Sequence, residues 1–145
     1  MPNEDDQDSR IEAIIGDDED VDFDQAAAAF YKHLKANLQL PCQVTGIEDF
    51  RWEEPYVLGV WDPDEYEQLK KTQPSYDDHY ELIEIRPEGY SEWMMFHDED
   101  IPAHVRRTSD GTEFILGLAE LEATDKKSQN RQLLNDYAVW LVNSR

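Results

Sequence analysis

With 145 residues, the chain has the length of one domain, or of one domain with a tail. Its 34 acidic residues against 13 basic ones give a formal charge of -21, which argues against nucleic acid and anionic membrane surfaces as partners. The same charge favours cations or a basic protein partner.

The hydrophobic content of 39%, with four Trp, seven Tyr and five Phe, suffices for a modest core and excludes a wholly disordered chain. A single cysteine, Cys42, excludes an internal disulfide framework and fits a reducing compartment. No run approaches the roughly 18 apolar residues of a membrane span. The first residues show no basic stretch followed by an apolar one, so the expected localisation is cytoplasmic.

Residues 1–21 are nearly all polar and read as an acidic, flexible arm, followed by one globular domain over residues 22–145. Within the arm, the patch from Arg10 to Ile15 has the composition of a helical turn that docks weakly. Asp22 is a good N-cap, and Gln25 three residues on completes a capping-box pair. Ala27, Phe30, Tyr31, Leu34 and Leu38 then form one stripe at helical period. Pro41 ends that helix, because the residue before a proline avoids helical backbone.

Strands are expected next. Residues 42–50 read as the first, with Val44 and Ile47 inward and Gly46 at a bulge. Residues 51–55 read as a loop, and YVLGVW, residues 56–61, as a second strand. Residues 62–78 read as a polar insertion with a short helix near residues 65–71, since Asp-Pro-Asp-Glu commonly opens a helix. HYELIEI, residues 79–85, is a third strand, and SEWMMFH, residues 91–97, a fourth by aromatic content.

The clearest hairpin flanks Asp110-Gly111, a tight-turn signal between HVRR and TEFIL. GLAELEA reads as a 3₁₀ turn or short strand leading out of the sheet. Residues 124–144 read as a closing helix with Ser128 as N-cap and Leu133, Leu134, Tyr137, Trp140 and Leu141 as its apolar stripe. Helix, five or six short strands with tight turns, then helix predicts an α+β domain. It favours a small antiparallel β-barrel flanked by an N-terminal and a C-terminal helix over a βαβ sheet.

Catalytic motifs are absent. Cys42 follows a helix-ending proline and reads as a buried apolar residue, no G-x-S-x-G elbow occurs, and neither glycine-rich phosphate loop is present. The expectation is a protein that is not an enzyme. His33, His79, His97 and His104 include no H-E-x-x-H pair. His97, Asp98 and His104 come nearest to a transition-metal set, but histidines beside surface carboxylates are commonplace.

Calcium is the cation that the acidic loops suit, because it takes six to eight oxygens from carboxylates and carbonyls. Three loops offer them: Glu48 and Asp49 with Glu53 and Glu54; Asp62, Asp64 and Glu65; and Asp98, Glu99 and Asp100. All fall at predicted strand ends, so that two of them can meet at one rim. The candidate ligands are Asp62, Asp64, Glu65, Asp98, Glu99 and Asp100. The EF-hand pattern fails, since a loop started at Asp18 puts Phe23 at its glycine position and Ala29 at its bidentate glutamate. Two blander readings stand beside this one. The charges serve only solubility, or they make an acidic interaction module, of inhibitor or immunity type, for a basic partner.

The two ends of the chain resemble a family. FYKHLKANLQLPCQV is similar to the opening of the bacterial calcium-binding CcbP-type proteins, an aromatic-rich helix that ends in an apolar-Pro step before the first strand. FILGLAELEATDKKSQNRQLLNDYAVWLV resembles that family's ending, with Leu118, Leu121 and Glu122 in the turn and Asp136, Tyr137 and Trp140 on the helix. The resemblance implies an SH3-like barrel flanked by helices and calcium binding without an EF-hand. It transfers no ligand set, and the middle departs from the family at residues 62–78 and at FRWEEPYVLG.

Overall fold

A computed structural model of the chain describes residues 4–16, 21–96 and 99–144, with only the backbone at residues 4–6. Helices α1 (Glu4–Ile15) and α2 (Phe23–Asn37) come first, and strand β1 (Cys42–Gly46) follows. A 3₁₀ turn (Arg51–Glu53) and helices α3 (Glu54–Val57) and α4 (Pro63–Leu69) lead to β2 (His79–Ile85). The hairpin strands β3 (Pro102–Arg107) and β4 (Glu113–Gly117) are next. A second 3₁₀ turn (Leu118–Glu120) then connects to β5 (Leu121–Ala123), and α5 (Gln129–Asn143) closes the described chain.

The fold is α+β, as expected. Its five strands form one antiparallel sheet in the order β4-β3-β2-β1-β5. The hydrogen-bonded sheet is open: β4 and β5 are its two edges, and the 3₁₀ turn carries the chain from one edge to the other.

The helices form where the local chemistry places them. Asp22 and Gln25 close a reciprocal capping box at the start of α2, with the Gln25 N–H donating to Asp22 Oδ1 at 2.8 Å. Ser128 caps α5 by accepting the Arg131 N–H. The α2 stripe buries Phe30 and Leu34 completely. The α5 stripe buries Leu133, Leu134, Tyr137, Trp140 and Leu141. Trp140 stacks on both Phe23 and Phe30, with ring centroids 5.3 and 5.2 Å apart.

Inward-facing residues of the sheet complete the core: Val44, Tyr80, Leu82, Val105 and Leu116 are all sealed from solvent. In β2 the register against β3 slips between Leu82 and Glu84. That bulge turns Ile85, rather than Glu84, into the core, where strict alternation would have placed the charge. Gly46 ends β1 without a side chain because a Cβ there would collide with the Tyr76 backbone, whose carbonyl accepts the Gly46 N–H at 2.9 Å. The predicted bulge at Gly46 is therefore a close backbone approach. Ile47 beyond it is exposed, not inward.

Two expected strands are not strands. Residues 56–61 lie partly in α3 and partly in its end. Pro55 opens that helix. Gly59, at φ 78°, ends it with the Val60 N–H on Pro55 O and the Gly59 N–H on Tyr56 O. Apolar composition suggested a strand, but the Pro-to-Gly spacing is a helix start and stop. Residues 92–96 are turns. Met94 is fully buried, and Ser91 Oγ donates to the carbonyl of Ile115 on the edge strand β4. That carbonyl is satisfied by a side chain, not by another strand.

Residues 10–15 belong to a longer helix than the docking turn expected there. Ile11, Ile14 and Ile15 of α1 pack on the core cluster. Arg10 grips Asp136 of α5 through two hydrogen bonds, of 2.9 and 3.1 Å.

Candidate functional site

The acidic side chains divide into three settings. The first surrounds Gly117. Asp100, just before β3, is buried, and its Oδ1 accepts from the Ile101 N–H at 2.7 Å, the Ala119 N–H at 3.1 Å and Tyr137 Oη at 2.7 Å. Oδ2 also accepts from the Ala119 N–H. The 3₁₀ turn presents the Ala119 N–H to this carboxylate, while its Leu118 N–H donates to the Ile101 carbonyl. Burial and the Asp100 charge push the Tyr137 phenol well above its usual range.

Glu120 shares the same glycine. A Cβ on Gly117 would collide with both Asp100 Oδ2 and Glu120 Oε2, so this position admits two carboxylates only because it is glycine. Glu120 Oε2 accepts the Met95 N–H at 3.2 Å. Burial chiefly, with the charges of Asp100 and Glu48 and against the Met95 N–H, pushes the Glu120 pKa up to about 7. Glu48, Asp49 and Glu120 border a cavity of about 350 Å³ between the exit of β1 and α5.

The second setting is the start of α4. Asp62 is its N-cap, with Oδ1 accepting the Asp64 N–H at 2.9 Å. Asp62, Asp64 and Glu65 are all exposed. Glu65 Oε1 accepts from Tyr56 Oη at 2.7 Å.

In the third setting, carboxylates hold the long β1–β2 connection to the sheet. Glu53, fully buried, accepts from the N–H groups of Phe50 and Tyr76 and from the hydroxyls of Tyr66 and Ser75. Opposite it, the buried Arg107 donates to the carbonyls of Lys70, Lys71 and Gln73 and to Asp78 and Asp110. The three carbonyls follow the end of α4, so Arg107 satisfies the turn that leads out of that helix.

Of the six predicted ligands, Asp62, Asp64 and Glu65 share the first turn of α4, and Glu99 and Asp100 lead into β3. Asp98 lies outside the described residues, as does His97. The two groups sit in the β1–β2 and β2–β3 connections, which leave β2 from opposite ends. Among the described residues, no group of three or more His, Cys, Asp and Glu side chains is arranged to hold a metal ion. The loops that do converge are that of Glu48 and Asp49 and that of Asp100, through Glu120, which the sequence reading did not single out. The available signal was Gly117 three residues before Glu120 at the head of a helical turn. His104 is held between Glu84 and Glu113 on neighbouring strands. Cys42 is half-buried, and burial raises its thiol pKa.

Among the described residues, no helix is long and apolar enough to cross a membrane. No family model matches the sequence, and no curated protein matches it. Two solved structures share the fold. The crystal structure of Anabaena CcbP superimposes with a TM-score of 0.60 at 20% identity, covering 100% of this chain and 94% of that one. A calcium binding protein in the calcium-binding form gives 0.57 at 20% identity, covering 94% of this chain and 90% of that one. Over its whole length, therefore, the chain has the fold of Anabaena CcbP.

Proposed function

We propose that the protein is a non-enzymatic calcium-binding protein of the CcbP type that works as a cytoplasmic calcium buffer without an EF-hand. The observation that carries this reading is the fold shared, over 94% of this chain, with a calcium binding protein in its calcium-binding form, on a chain of charge -21. The strand order, with a 3₁₀ turn joining the two sheet edges, supports the SH3-like reading of the sheet.

In this proposal the ligands come from Asp62, Asp64 and Glu65 and from Asp98, Glu99 and Asp100. Asp62 and Asp64 present exposed carboxylates at the α4 start. Asp100, already bonded to two N–H groups and a phenol, chiefly positions its loop. Ligands spread over exposed turns give a modest affinity, on the order of micromolar to millimolar.

Calorimetric titration with calcium and thermal melting with and without chelator test the proposal. Saturable heat and a rise in melting temperature support it. A hundredfold excess of calcium over Kd stabilises by about 2.7 kcal/mol. Silence at millimolar calcium refutes it, and equal effects of magnesium reduce it to counter-ion binding.

A second reading, an acidic interaction module for a basic partner, is favoured by one surface. Leu58, Val60 and Trp61 are exposed by 69%, 70% and 54%, beside Asp62, Asp64 and Glu65. Apolar anchors ringed by carboxylates suit a partner that presents lysines around an apolar pocket. Protection of the α3–α4 segment from hydrogen exchange by such a partner supports this reading. Protection elsewhere sinks it.

A further inference from the structure

We propose that the cavity between α5 and the exit of β1 binds a small organic amine, an apolar body carrying one ammonium group. The cavity holds about 350 Å³, within the size range of small-molecule sites. One wall is Ile47, Met95 and Phe96, and the other is a stripe of α5, Ala138, Val139 and Val142. Of that stripe, Ala138 also belongs to the core, whereas Val139 and Val142 face away from it. Ile47 and Val142, at its rim, are exposed by 46% and 58% and extend the apolar lining to the mouth of the cavity.

The polar groups say what the cavity takes. Glu120, Glu48 and Asp49 are the charged residues among those lining the cavity, and all are negative. None of the three forms an ion pair among the described residues. Glu120 is held in place: its Oε2 takes the Met95 N–H, its backbone carbonyl takes the Ile47 N–H at 2.9 Å, and Gly117 leaves room beneath it. A carboxylate fixed at the base of an apolar cleft recognises a cation.

A bare divalent ion suits the cavity less well: calcium needs six to eight converging oxygens, and although Glu48, Asp49, Glu120, Asn135 and Asn143 line the cavity, no three His, Cys, Asp and Glu side chains among the described residues are arranged to hold a metal ion. An ammonium needs only a few acceptors and brings its own apolar surface to cover Ile47 and Val142. This inference uses none of the six proposed calcium ligands, although Asp100 lies beside Glu120 at Gly117, and calcium is therefore one arm of the test.

The test uses phenethylamine, its neutral counterpart 2-phenylethanol, and calcium, each titrated into the full chain by calorimetry and by methyl NMR of Met95. Phenethylamine is expected to bind one to one and to shift the Met95 methyl, with 2-phenylethanol binding at least about tenfold more weakly. Glu120→Gln is expected to lower phenethylamine affinity by at least about tenfold, and Val139→Trp, which fills the cleft, to abolish binding. Glu48→Lys, at an exposed position that tolerates substitution, supplies a competing ammonium at the mouth and is expected to weaken binding while the fold is kept. No saturation at about 20 mM phenethylamine, equal binding of the alcohol, or undiminished binding in both Glu120→Gln and Glu48→Lys overturns the proposal. Calcium is expected to leave the Met95 methyl unmoved, and displacement of phenethylamine by calcium at micromolar concentration overturns it as well.

Discussion

Tyr137 Oη donates to Asp100 Oδ1 at 2.7 Å and accepts the Ile101 N–H at 2.9 Å, so the last helix fixes the carboxylate that precedes β3. Both groups are buried, and the 3₁₀ turn donates to the same carboxylate. Tyr137→Phe keeps the ring and removes both bonds. It is expected to destabilise the fold by about 2–3 kcal/mol, the worth of a buried hydrogen bond to a charge. Asp100→Ala is expected to cost more, because it leaves the Tyr137 hydroxyl and the Ala119 N–H without this acceptor. Urea denaturation of the two variants gives the order directly. A neutral Asp100→Ala contradicts the structural role assigned here.

Arg10 and Asp136 tie α1 to α5. The Asp136 side chain is 3% exposed, and Arg10 meets it with two bonds while Gln7 adds a third. Arg10→Ala strands a buried carboxylate and is expected to cost about 3 kcal/mol, at the lower end for a broken buried pair since Arg10 itself is partly exposed. The signature is local: amides of residues 7–15 lose hydrogen-exchange protection before those of β2 and β3. Uniform loss across the domain speaks against a separately docked α1.

The apolar face of α2 seals the core. Phe30 is fully buried between Tyr137 and Trp140, and Leu34 is fully buried one turn on. Phe30→Ala is expected to cost about 3–5 kcal/mol and Leu34→Ala about 2–5 kcal/mol, as transfer and cavity costs combine. Either loss is large against a domain stability of about 5–15 kcal/mol. Thermal melting checks it, with Tyr31→Ala, on the half-buried flank, as the milder comparison.

Glu120 makes stability fall as pH rises. Its pKa goes from an ordinary 4.5 to about 7 in the fold, so between these values the folded state binds more protons than the unfolded chain. Below pH 4.5 the group contributes no penalty. Above pH 7 its full cost, up to about 3 kcal/mol, is present. Glu120→Gln is expected to remove that slope and to stabilise the protein at pH 8, as measured by urea unfolding across pH. A wild-type slope that persists in the variant assigns the effect to another group.

The signals carried by neighbouring residues were legible in the chain. Asp22 with Gln25 and Ser128 with Arg131 are caps whose partners lie three residues away. The stripes of α2 and α5, the strand at residues 79–85 and the turn at Gly111, with φ 77°, rest on period and local backbone preference. Residues 56–61 misled because apolar content was weighed above the spacing of Pro55 and Gly59, although both signals are local.

Partnership at long range was decided by the tertiary structure. Glu53 looked like one more loop carboxylate, yet it is a buried acceptor for four donors from three segments. Asp100 stands beside Glu99 in an acidic loop, and only the fold shows that its oxygens accept from groups 19 and 37 residues away. Asp136 and Tyr137 stood out as a motif, but which neighbours they hold followed only from the packing of α1 and of the 3₁₀ turn against α5. Caps and periods follow from the backbone of one segment. The role of a carboxylate follows from the donors that folding brings to it, and in a chain with 34 acidic residues composition alone does not tell a solvated charge from a structural one.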